Sequence, residues 1–91
     1  MTLKEITSKY IQNSERVLAE IKLAQDVVVI DEEKIKGIIE NAKHYLNDAK
    51  YYQERNKMET SLASVAYCEG LLDALRLLGV VEFKWPSGKE R

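Results

Sequence analysis

Hydrophobic positions recur along this chain at helical spacing, and they divide it into three amphipathic segments and a short tail. Leu3, Ile6, Tyr10, Val17, Leu18, Ile21 and Ala24 fall on one stripe when successive residues are turned by about 100°, with Thr7 and Ser14 the polar residues inside it. Lys9, Glu15, Glu20 and Lys22 occupy the opposite face, so the pattern predicts a first helix over 3–25. Thr2-Leu3-Lys4-Glu5 has the spacing of a capping box and sets its start. Four β-branched residues then follow in a row, Val27 to Ile30, and disfavour continued helix. They predict an extended connection that still buries apolar side chains.

Asp31 suits the N-cap of a second helix over 31–55. Ile30 and Ile35 are spaced as a hydrophobic staple, and Glu32 and Glu33 stand at the positive end of the helix dipole. Its expected core face carries Ile35, Ile38, Ile39, Ala42, Tyr45, Leu46, Ala49 and Tyr52. Asn56-Lys57-Met58-Glu59 repeats the capping pattern almost at once. A connection that tight predicts an antiparallel hairpin between the second helix and a third over 57–78.

The third segment is the most apolar, and the other helices are expected to arrange themselves around it. Ala63, Tyr67, Leu71, Ala74 and Leu78 lie on one side, Cys68, Leu72 and Leu75 beside them, and Leu62, Val65 and Ala66 nearly opposite. An arc that wide calls for cover from more than one neighbour. Gly79 ends the helix as a residue able to take left-handed dihedrals, with Val80 placed to meet Leu75. In the tail over 79–91, Val81-Glu82-Phe83-Lys84-Trp85 alternates apolar and charged residues, and Pro86-Ser87-Gly88 ends the order. The fold class is therefore all-α: a three-helix bundle with a second/third helix hairpin and a short extended C-terminal tail, in one domain spanning 1–91. No period recurs as in tetratricopeptide arrays.

Two stretches resemble a known family. Ala42-Lys43-His44-Tyr45-Leu46-Asn47-Asp48-Ala49-Lys50-Tyr51-Tyr52 and the run from Ala63 to Gly79 are similar to the archaeal family called domain of unknown function 357. The resemblance covers about half the chain, and the first helix matches it in length and amphipathic character. It implies a compact helical bundle of unassigned activity, in a family some of whose members carry this domain beside a nucleotidyltransferase-like one. The inter-helix turn, usually of Gly-Asp type in that family, reads Arg55-Asn56-Lys57 here.

Composition narrows the function classes. Fourteen basic and fifteen acidic side chains give a net charge of −1, without the basic footprint of a dedicated nucleic-acid binder. No run of eighteen apolar residues suggests a membrane span, and no signal peptide is evident. The lone Cys68 falls in the apolar arc and reads as a small buried hydrophobe compatible with a reducing, cytoplasmic setting.

The candidate chemistry is sparse. Glu40, His44 and Asp48 follow one another at four-residue spacing, but they point away from the core face and read as a solvated stripe, so no metal site is expected. Helical ribonucleases of the HEPN group need an Arg four to six residues before His; Ile38, Ile39 and Glu40 hold those positions before the sole histidine. A Ser or Cys nucleophile lacks a base. Two groups remain. Glu69, Asp73 and Arg76, with Tyr67 nearby, form a polar wedge on the third helix that suits a small pocket or an interface, or a wet ion-paired face. Phe83 and Trp85 are candidates for docking a partner, or for capping the bundle. The expectation is a non-catalytic, cofactor-free module for protein–protein contact, self-association as a homodimer included. Its competitor is a small-ligand or nucleotide-related accessory domain that uses the wedge.

Overall fold

A computed structural model describes residues 1–86, so Ser87 and Gly88, expected to end the order of the tail, lie outside the described residues. Three α-helices follow in chain order: α1 (Leu3–Glu20), α2 (Glu32–Glu54) and α3 (Met58–Leu78). Each begins or ends where its local chemistry directs. The capping box of α1 is formed in both directions: the Thr2 amide donates to Glu5 Oε1 at 2.8 Å, and the Glu5 amide donates to Thr2 Oγ1 at 3.1 Å. Asp31 caps α2 by accepting the Lys34 amide at 2.8 Å.

The turn between α2 and α3 corrects the sequence reading of Asn56. It does not cap α3, whose N-cap Lys57 makes no side-chain cap bond. Asn56 instead takes a left-handed φ of 59° and closes α2. Its amide donates to Gln53 O at 3.0 Å and the Lys57 amide to Tyr52 O at 2.9 Å, the paired bonds of a Schellman motif. Asn tolerates that backbone better than most side chains, and this is why so short a link reverses the chain. Gly79 repeats the device after α3 with φ 77°, and the Val80 amide reaches Leu75 O at 3.3 Å.

The antiparallel pair α2/α3 holds the core. Ala42 and Ala49 of α2 meet a face of α3 that buries Ser61, Cys68 and Leu75. Small residues on α2 allow close approach. The buried Ser61 hydroxyl is satisfied by donating to Ala49 O at 2.7 Å, one turn from the start of α3. Tyr45 and Leu46, expected on the α2 core face, stand at its margins at 36% and 38% exposure.

Three expectations change at the N-terminal end. First, α1 stops at Glu20 rather than at residue 25: Ile21 is already extended, with ψ 139°. Second, the connection does not bury its apolar side chains, since Leu23 and Val27 are both 93% exposed and Val28, Val29 and Ile30 are exposed as well. Third, α3 does not gain a second helical neighbour, and Leu62, Tyr67, Leu77 and Leu78 remain exposed. These share one cause. Among the described residues no α1 Cα comes within 8 Å of one in α2 or α3, and α1 contains no buried residue. With no residue of its stripe buried, capping and propensity carry most of the helix, and it ends where the β-branched run approaches. The radius of gyration, 15.7 Å, exceeds the roughly 12 Å of a compact chain this long.

Candidate interaction surfaces

The polar wedge and the tail form one cluster. Trp85 donates its indole N–H to Asp73 Oδ1 at 2.7 Å, and Arg76 NH2 lies 3.6 Å from the same oxygen. The Phe83 and Trp85 rings meet edge to face with centroids 5.1 Å apart, and the Arg76 guanidinium stands 5.8 Å from the Phe83 ring centre. Val81, Phe83 and Trp85 are half-buried while Glu82 and Lys84 are exposed, so the alternation in the tail is realised as an inner and an outer edge. The reversal at Gly79 aims this strap back along α3. Beside it lies an open hollow of about 590 Å³ lined by Arg76, Val81, Glu82, Phe83 and Lys84. Glu69 is half-buried on the same helix.

Tyr67 sits apart from that cluster. Its ring stacks on Tyr45 of α2 at 4.4 Å between centroids and 26° between planes. The pair lines an open cleft of about 470 Å³ with Thr60, Ala63 and Ser64, and Tyr10 of α1 reaches its edge. The sequence points to Tyr67 as a site residue, whereas Tyr45 and Tyr10 read as core positions. What identifies them together is three tyrosines on three apolar stripes, a signal visible only once the helices are placed.

The apolar stripe of α1, continued by its C-cap Ile21, is left uncovered. Tyr10, Val17, Leu18 and Ile21 are all more than half exposed, Leu18 at 72%. Opposite the α2 contact, α3 presents Leu62, Ala66, Gly70 and Leu77 to solvent; a Cβ built on Gly70 meets nothing within 4 Å.

The remaining candidates carry little chemistry. Glu40, His44 and Asp48 are exposed, as their position on the helical wheel implies. Cys68 is buried, and burial, with a smaller contribution from Glu69, pushes its thiol up from the ordinary range, which disfavours the nucleophilic thiolate. Among the described residues no group of three or more His, Cys, Asp or Glu side chains is placed to hold a metal ion, and no helix is long and apolar enough to cross a membrane.

Comparison with known proteins places the chain. The family model described as "Protein of unknown function (DUF357)" matches residues 9–81, and the chain belongs to that family. The match extends beyond the α2/α3 hairpin into most of α1. No curated protein and no solved structure matches it.

Proposed function

We propose that this member of the DUF357 family is a non-catalytic module for protein–protein contact, and that α1 is its contact element. The observation that carries this reading is the α1 stripe: an amphipathic helix of eighteen residues with no buried residue. A helix of ordinary composition draws most of its stability from packing of its apolar face, which leaves α1 marginal in water until that face is covered. Scattered exposed apolar residues are ordinary on protein surfaces; a continuous stripe on a helix is the usual mark of a docking face.

The polar wedge supports a small-ligand reading less well. Asp73 is already engaged by Trp85 and Arg76, so a ligand there has to displace the strap. The two readings separate in one experiment. Leu18→Glu, on an exposed α1 position, is expected to abolish association in sedimentation while leaving the α2/α3 hairpin folded. A melting point raised by a nucleotide or metal, with association unaffected by Leu18→Glu, contradicts the proposal in favour of the ligand reading.

A further inference from the structure

The chain exposes 8155 Å². A compact monomer of 10.5 kDa exposes about 5,400 Å². The excess is about 2,700 Å² per chain, well above the roughly 800 Å² per partner that a stable interface of standard size buries.

Besides the exposed connection from Leu23 to Ile30, the apolar part of this excess lies in two places that one α1 cannot cover at once. Tyr10 brings its own α1 toward the Tyr45/Tyr67 side of the hairpin. Leu62, Ala66, Gly70 and Leu77 face away from α2 on the outer side of α3, bordered by Asp73 and the Trp85 strap bound to it. The dimensions of stripe and outer face agree: from Leu62 to Leu77 α3 runs roughly 23 Å, and the eighteen residues of α1 span about 27 Å. Large side chains on the stripe, Val17 and Leu18, would match the small ones at the centre of the α3 surface, as ridge to groove.

We infer that the partner is a second copy of this chain, and that in a two-fold pair the α1 stripe of each copy lies on the outer face of the other's α3 between Leu62 and Leu77. This rests on the reading of α1 as a contact element. The two-fold makes one contact into two identical ones, so both surfaces of both chains are covered.

Sedimentation equilibrium of the full chain tests it. The unmodified protein at ~100 μM is expected at twice 10.5 kDa. Gly70→Glu, where a side chain meets nothing within the chain, is expected to give a monomer with unchanged helix content; Gly37→Glu, equally open but on α2, is expected to remain dimeric. A monomeric unmodified protein, or a Gly70→Glu dimer, overturns the inference. Exchange itself is read by mixing Cys68→Ala chains that carry either Val17→Cys or Ala66→Cys. A disulfide between the two kinds of chain supports it, and a dimer that forms none overturns it. The underlying reading fails separately. A Cys68→Ala chain with both Val17→Cys and Ser64→Cys that closes an intrachain disulfide at low micromolar concentration has α1 packed at home, and needs no partner.

Discussion

The indole of Trp85 and the carboxylate of Asp73, twelve positions apart, join at 2.7 Å and tie the tail to the last turns of α3. A charged acceptor makes this a stronger bond than a neutral one. Asp73, whose side chain is 20% exposed, also meets the Arg76 guanidinium at 3.6 Å.

Asp73→Ala is therefore expected to release the strap. Trp85 fluorescence should shift to the red, and stability should fall by about 1–3 kcal/mol. An unchanged emission maximum would show that ring packing with Phe83 holds the tail without the bond.

Leu75 is 2% exposed at the centre of the α2/α3 contact. Its replacement by Ala is expected to cost about 2–5 kcal/mol in denaturant unfolding. His44→Ala, on the exposed face of α2, should stay within about ±0.5 kcal/mol.

Asn56 holds a left-handed backbone at the hairpin turn. Asn56→Gly is expected to leave stability unchanged or raise it slightly, whereas Asn56→Val should cost about 1–2 kcal/mol. Equal melting points for the two variants would contradict the role given to this residue.

The Glu5 carboxyl is held below its ordinary value of 4.5, first by the Thr2 backbone bond and then by the Thr2 hydroxyl. A depressed carboxyl stabilises the folded form above its unfolded value, and that contribution is lost as the pH falls through the folded one. Helicity of α1 should accordingly be flat at neutral pH and decline at more acid pH, followed by the amide signals of α1 in NMR spectra of the full chain. Glu5→Gln should flatten the decline.

Helix periodicity made the three elements and the hairpin legible, because the α2 and α3 patterns are closed by a face that each buries in the other. Capping residues Thr2, Asp31 and Gly79 were legible for the same reason: their partners lie within five residues. What sequence could not provide was the distance between elements. The wheel shows that α1 has an apolar stripe, yet contains nothing about whether Tyr10, Val17 and Leu18 meet this chain or another. The end of α1 moved from residue 25 to Glu20 on that account. The wedge was legible as polar residues on an apolar helix, but its partner Trp85 lies beyond the reversal at Gly79, and Tyr67 belongs to a different face. Asn56 was misread because a cap before α3 and a left-handed close after α2 draw on the same residue type.

Amide hydrogen exchange followed across protein concentration tests most directly whether the α1 stripe is covered by another chain. Amides of α1 should exchange fast at ~1 μM and become protected toward ~100 μM, while the core of α2 and α3 stays protected throughout. Protection of α1 that is already complete at ~1 μM and does not change with concentration would contradict it.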